Sequence, residues 1–438
     1  MHYKYKVYLF EKEGGLFMPT PESFMEQHNL HYSTISIPEL IDPYIDEMQR
    51  GLDGQPSSLL MIPSYVYLKG ALLPNTPVVA VDAGGTNLRI AWIWFDENGA
   101  CHIDNLQKCP MPGTTEPITQ EEFFSIMADM LAPYCTKSSC ISISFAYPTD
   151  ILPNLDGKIV KMVKEVHISG MEGKLLGEEL KAALGKKGYS DLQVCVINDS
   201  VATALAGMAD KPGSDFGSFA GLIMGTGINS CYLEDLQHIG KLSSNGQQGV
   251  MVINTESGGY NQQPRTDIDI AFDHTTVDPG YHTLEKMVSG GYLGPLCLYI
   301  LKTAQNEGVV LAGISKVLHL DTKDLSDFLG QQTGILQAAL VDEQSRSNAR
   351  VILQNMVRRA ARLCALEMAG IVVKCAKTNS KVCITAEGST IYKLPGMYSN
   401  FVQDLREYLS SQNLQARVVE VEHAVIKGCG IAGLSHIS

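Results

Sequence analysis

What this chain lacks narrows its function before any motif is read. No cluster of lysine and arginine occurs in its 438 residues, and the net charge is -13. Binding a phosphate backbone relies on clustered cations that release counterions, so no nucleic-acid partner is expected. No CxxC pair occurs among the eleven cysteines, several of which sit in apolar runs such as Leu192 to Ile197. That usage fits a reduced compartment. No uninterrupted apolar stretch reaches membrane-spanning length, and charges break up the apolar residues of positions 1–15, where a signal peptide would carry an unbroken apolar core. A soluble, cytoplasmic protein without membrane contact is expected. There is no low-complexity tract and no fixed-period repeat, and residues 1–30 carry no assignable motif.

What is present is a chain with 45% hydrophobic residues, long enough for two domains. Runs rich in Val, Ile and aromatics predict buried strands at Val78 to Val81, Leu88 to Phe95, Cys140 to Tyr147, Val194 to Ile197, Ala220 to Met224, Val250 to Asn254 and Val382 to Thr385. Between them, helical periodicity marks Leu175 to Leu184, Ser200 to Met208, Arg350 to Cys375 and Tyr398 to Leu409. The pattern is α/β.

A glycine-rich turn follows a buried strand three times, at Gly84-Gly85, at Gly225-Thr226-Gly227 and at Gly388-Ser389. The recurrence suggests two similarly built halves sharing one nucleotide. In the first turn, the glycines of Asp82-Ala83-Gly84-Gly85-Thr86-Asn87 let backbone N–H groups approach a phosphate. A dinucleotide-binding fold would run from such a turn into a helix, whereas Leu88 to Phe95 reads as a second strand, giving a hairpin. A P-loop is excluded as well, because every Gly-Lys pair is followed by Ile, Leu or Lys. Asp82, at the end of a buried strand, calls for a compensating cation, which Mg2+ carried by ATP would supply. Each turn taken alone is also compatible with a plain β-hairpin.

Eight segments in order resemble the hexokinase family, within the superfamily of actin and the Hsp70 ATPases. They are Ser58 to Val66, Val81 to Arg89, Val196 to Thr203, Gly225 to Tyr232, Ile253 to Gly258, Leu284 to Gly294, Arg358 to Cys364 and Glu387 to Lys393. The resemblance implies a two-domain actin-like, ribonuclease H-like ATPase fold, with mixed sheets flanked by helices and a sugar and ATP cleft between domains. Residues 76–198 with about 424–438 would form the small domain, and about 20–75 with 199–423 the large one. The implied reaction is ATP-dependent phosphorylation of a hexose, glucose to glucose 6-phosphate in glycolysis being the family's usual case.

The same resemblance assigns site residues. Asp199 would be the base that accepts the proton of the attacking hydroxyl, although Asp-Ser at a strand-to-helix junction also serves as a plain helix cap. Lys164 would neutralise charge on the transferring phosphoryl group, with a solvated lysine face as its rival reading. Asn198, Asn229, Glu256 and Glu285 would hold sugar hydroxyls. Asp82, Gly84, Gly85, Thr86, Asn87, Gly225, Thr226, Gly388 and Ser389 would hold the nucleotide, with Asp82 towards magnesium. Arg89 reads equally as a phosphate contact or an outward-facing strand residue.

The chain also departs from the family pattern. Ala146 stands where a sugar-binding serine is expected, Val163 where a threonine precedes the lysine, and Val425 in the serine position of the terminal motif. An apolar patch against the sugar suits a hexose with a methyl or deoxy position, or an amino sugar, or a sugar-binding regulator with little turnover. A bacterial repressor-type sugar kinase would need a Cys- and His-rich zinc cluster, and neither His274 nor His282 has cysteines near it in sequence.

Overall fold

The computed structural model describes residues 19–68, 73–162, 166–210, 216–242, 248–377 and 380–437. Lys164 and Val163 therefore lie outside the described residues. Strand β1 (Ile62–Leu68) opens the sheet structure. Strands β2 (Val78–Ala83), β3 (Asn87–Phe95), β4 (Cys101–Pro110), β5 (Cys140–Phe145) and β6 (Gln193–Ile197) form a five-stranded sheet in the order β6-β5-β2-β3-β4. Strands β7 (Phe216–Met224), β8 (Ile228–Asp235), β9 (Val250–Asn254), β10 (Lys381–Glu387) and β11 (Ala416–Val419) join β1 in a six-stranded sheet, ordered β1-β9-β8-β7-β10-β11.

The two sheets repeat one topology. In each, a glycine turn joins two antiparallel strands, a third antiparallel strand follows, and two parallel strands add to the opposite side. The similarity of the halves expected from the turns is thus a duplication of connectivity. It leaves the hairpins β2–β3 and β7–β8 as equivalent elements, one in each sheet.

Helices α1 (Ile37–Leu52), α2 (Asp199–Asp210), α3 (Thr283–Val288), α4 (Glu343–Cys375) and α5 (Ala424–Ile437) are those that matter for the site. One core packs α1 and α4 on the six-stranded sheet, through Tyr44, Met48, Leu222, Tyr232, Leu363 and Leu366. A second lies between the sheets and contains α2 and α5, with Val78 and Ala80 from one sheet and Cys231 and Val252 from the other. Since β2 is covered on both faces, its apolar run is continuous rather than alternating. The helices α2 and α5 cross at Gly428, where a Cβ would sit 1.9 Å from the Ala202 carbonyl oxygen. Val425, in the position of the family's serine, is buried in this same core.

Sequence patterning missed strands β1, β4, β8 and β11 and helices α1, α3 and α5. The central residues of β4 face solvent, so no apolar period marks it. Pro43 lies inside α1, and α5 carries glycines where it touches α2 and Val78. Those glycines are required by close packing, and they lower the apparent helix propensity.

Candidate active site

The turn joining β2 to β3 is the hairpin expected from the sequence, with Asp82 directly opposite Arg89. The Gly84 N–H donates to the Asn87 carbonyl at 3.1 Å, and Asn87 Nδ2 donates to Thr86 Oγ1 at 2.9 Å. Tyr147 fixes the turn from outside, its hydroxyl lying 3.0 Å from the Gly84 carbonyl and 3.1 Å from that of Gly85. Thr86 and Asn87 remain exposed at the tip. Arg89 is neither purely outward nor aimed away from the site, because its Nη1 lies 3.2 Å from Asp82 Oδ2.

Asp199 is the first residue of α2, immediately after β6 delivers the chain between the two sheets. The helix is capped mainly from Asn198, whose Oδ1 accepts from the Ser200 N–H at 2.9 Å and the Ser200 hydroxyl at 2.7 Å. The Asn198 carbonyl accepts from the Ala202 N–H at 3.1 Å. Asp199 Oδ1 also lies 2.9 Å from the Ser200 N–H, so the two side chains share the helix N-terminus. Capping thus falls to Asn198 first, and it does not explain why an acid follows it.

Asp82, Asp199 and Glu387 are electrostatic neighbours. Burial pushes the Asp82 carboxyl up to about 6, with Arg89 opposing and the Asp199 charge adding to the rise. Burial pushes Glu387, at the end of β10, up to about 7, opposed by the Thr203 hydroxyl at 3.2 Å and reinforced by Asp82 and Asp199. Among the described residues, these three acids lie beside one guanidinium, that of Arg89, an arrangement that favours a bound cation. No group of His, Cys, Asp and Glu among the described residues forms a protein-only metal cage. A magnesium ion that brings phosphate and water ligands needs only one or two carboxylates, and Asp82 fits that demand.

The adjoining wall is an amide and carboxylate network. Asn229 Nδ2 donates to Asn254 Oδ1 at 2.9 Å and to Glu256 Oε1 at 3.3 Å, and Asn254 Nδ2 donates to Glu256 Oε1 at 2.7 Å. Glu256 holds a left-handed backbone at φ 54°, a strained conformation that this network and the following turn maintain. Burial raises the carboxyl of Glu256 and that of Glu285. Glu285 Oε2 accepts from the Ile228 N–H at 3.1 Å, and a Cβ on Gly227 would sit 2.7 Å from that oxygen. Asn198, Asn229, Asn254 and Glu256 line a cleft of about 350 Å³. The same cleft is also lined by apolar residues, among them Leu60, Ile62, Pro63, Ala146, Pro148 and Val160.

The second glycine turn joins β7 to β8 and is held by main chain. Gly290 and Gly291 N–H groups donate to the Gly225 and Thr226 carbonyls at 2.8 Å, and the Thr390 hydroxyl adds a bond to the Gly225 carbonyl at 2.9 Å. Gly388, at φ 122°, packs so closely on this turn that a Cβ would sit 2.2 Å from the Met224 carbonyl oxygen. Gly225, Thr226, Gly388 and Ser389 are thereby brought together, as the sequence expected.

Two hexokinase family models match the chain, over residues 23–209 and 219–435. The chain belongs to the hexokinase family. It is an enzyme of that family and phosphorylates a hexose with ATP. Among curated hexokinases, the chain is 27% identical to Hexokinase-1 of Schizosaccharomyces pombe over 90% of its own length and 86% of that protein. It is 28% identical to Hexokinase-3 of Mus musculus, of which it spans 42%. Among solved structures, a hexokinase from Schistosoma mansoni complexed with glucose superposes with a TM-score of 0.74 at 23% identity, covering 95% of this chain and 100% of that one. The hexokinase fold, actin-like with mixed sheets, is the architecture described above.

Two residues, Asn254 in the cleft and Glu387 beside Asp82, were given no role from the sequence. Asn254 stands inside the quoted segment Ile253 to Gly258, and Glu387 immediately precedes Gly388. Polar residues at the ends of buried strands, next to a glycine or acid already singled out, are the signal that would have found both.

Proposed function

We propose that Asp199 is the general base of hexose phosphorylation in this protein. The observation that carries the reading is the position of Asp199 at the N-terminus of an inter-sheet helix, electrostatically coupled both to Asp82 on the phosphate side and to Glu256 on the cleft side. The hexose hydroxyl transfers its proton to the Asp199 carboxylate as its oxygen forms a bond to the γ-phosphorus of ATP. The bond from that phosphorus to the bridging oxygen breaks in line, and ADP departs. Asn198, Asn229, Glu256 and Glu285 orient the sugar hydroxyls, and Gly84, Gly85, Thr86, Asn87, Gly225, Thr226, Gly388 and Ser389 receive the nucleotide. Lys164 and Arg89 stand for the positive charge near the phosphates. Magnesium bound with ATP would neutralise charge on the phosphates, and Asp82 would be its protein anchor.

Glucose is the first substrate to test. Ala146 on the cleft wall favours a second reading of the substrate alone, a deoxy or amino sugar with an apolar face. The units of residues 76–198 with 424–438, and of 20–75 with 199–423, would close on the sugar to exclude water, since a base that activates a hydroxyl also activates water. A cytoplasmic location accords with eleven free cysteines, and no helix among the described residues is long and apolar enough to cross a membrane.

The test is ADP release from purified protein with ATP, magnesium and a panel of hexoses and N-acetylhexosamines. Asp199→Ala should lower kcat by about 10²–10⁴ while sugar binding persists. Turnover by Asp199→Ala equal to that of the wild type would remove the base assignment.

A further inference from the structure

Tyr147 stands between two residues that line the cleft, Ala146 and Pro148, yet its hydroxyl reaches the first glycine turn. The residue is 3% exposed, and its ring packs on that of Phe145 with centroids 4.9 Å apart. Burial pushes the hydroxyl up to about 12, so it keeps a proton to donate. That proton is shared between the Gly84 carbonyl at 3.0 Å and the Gly85 carbonyl at 3.1 Å. Among the described residues, no other group donates to either oxygen. The main chain is tied at the same place. Strands β2 and β5 pair in parallel as far as Ala83 and Phe145, and the Ala146 N–H donates to the Ala83 carbonyl at 3.2 Å.

A trans peptide points its C=O and the following N–H in opposite directions. Two successive carbonyls turned to one hydroxyl therefore turn the next two N–H groups, those of Gly85 and Thr86, to the other side. Among the described residues, neither N–H donates a hydrogen bond, and Thr86 is exposed at the tip of the turn. Successive N–H groups presented together make a concavity suited to a phosphate. Glycine has wide backbone freedom, so such an arrangement has to be held. The bond from the Gly84 N–H to the Asn87 carbonyl, and that from the Met111 N–H to the Thr86 carbonyl, engage other peptides of the turn. The peptides joining Gly84 to Gly85 and Gly85 to Thr86 are engaged through Tyr147.

We infer that Tyr147 is a positioning residue of the nucleotide site: its hydroxyl holds these two peptides so that the N–H groups of Gly85 and Thr86 meet a phosphate of ATP together. The inference rests on the assignment of this turn to the nucleotide. Without the hydroxyl the two peptides are free to rotate, and ATP has to order them as it binds, which lowers its affinity. In Tyr147→Phe the ring still supports Ala146 and Pro148, so hexose affinity should be kept. A base or ribose that meets no N–H of this turn should bind as before.

The experiment titrates ATP with magnesium, adenosine, and the preferred hexose separately into the wild type, Tyr147→Phe and Thr86→Pro, with Tm confirming that each variant is folded. Loss of one neutral hydrogen bond should weaken ATP binding to Tyr147→Phe by about three- to tenfold. Adenosine, which has no phosphate, and the hexose should bind that variant as they bind the wild type. Equal weakening of ATP, adenosine and hexose would mark a general structural role and overturn the inference. Wild-type ATP affinity in Tyr147→Phe, with ATP binding to Thr86→Pro weakened, would overturn it as well while leaving the turn at the nucleotide. Thr86→Pro removes one of the two N–H groups itself. Unchanged ATP affinity in that variant removes the assignment of the turn, and the role of Tyr147 with it.

Discussion

Replacing Glu387 by glutamine gives a sharp reading of the acid cluster beside the glycine turns. The Glu387 carboxyl has an ordinary value of 4.5 and is held at about 7, mainly by burial and then, after the opposing Thr203 hydroxyl, by Asp82 and Asp199. At 1.36 kcal/mol per tenfold, that difference corresponds to at most about 3 kcal/mol. The folded protein holds this proton more tightly than the unfolded chain. The associated stability is fully present below about 4.5 and is lost as pH rises through about 7. Glu387→Gln keeps the site's shape and cannot lose the proton. Its advantage over the wild type should be small at pH 5 and reach about 3 kcal/mol by pH 8. With an unfolding entropy of about 2.1 cal/mol/K per residue, that is about 3 °C in Tm for a chain of this length. Thermal unfolding at pH 5, 6, 7 and 8 measures it. Saturating ATP with magnesium should narrow the gap at pH 8, because the ion supplies the positive charge the cluster wants. A Tm difference that stays constant across the pH range would refute the account of the cluster.

Three further outcomes follow from the same geometry. Ala146→Ser adds a hydroxyl to the lining of the cleft and should lower glucose KM by about two- to tenfold, read from initial rates. Gly388→Ala places a Cβ 2.2 Å from the Met224 carbonyl oxygen at a φ of 122°, so KM for ATP should rise steeply while hexose affinity changes little, as a sugar-binding titration would show. Arg359 is bonded through both terminal nitrogens to Asp269, and the pair is buried. Arg359→Met should cost about 3–5 kcal/mol, seen as a fall in Tm, because it strands the Asp269 charge in the core.

How much of the site was legible depended on how local its chemistry is. A glycine turn after a buried strand announces itself within seven residues, which is why Asp82 to Asn87, Gly225 with Thr226, and Gly388 with Ser389 were found. Asp199 was singled out by the resemblance of its segment, since its place between a strand end and a helix start equally suits a plain helix cap. Arg89 kept two readings in the sequence, since only the antiparallel register shows Asp82 opposite it. Asn254 and Glu387 stood inside quoted segments but were given no role, because their partners, Asn229 and Glu256 for the one and Thr203 for the other, meet them only through packing.

The sequence by itself determined the α/β class, the three turns, the order of the motifs and therefore the family. These depend on short-range periodicity and on residues whose backbone freedom or charge is needed where they stand. The tertiary structure alone decided which groups meet. It brought together acids from β2, α2 and β10, which are separated by long stretches of chain, and burial raised the carboxyls of Asp82 and Glu387 there. It also buried Glu367 behind the Glu256 turn, with no counter-charge among the described residues. Inside α4 that glutamate is an ordinary helix former, and only the packing of α1, β8 and the turn around it makes its ionisation costly.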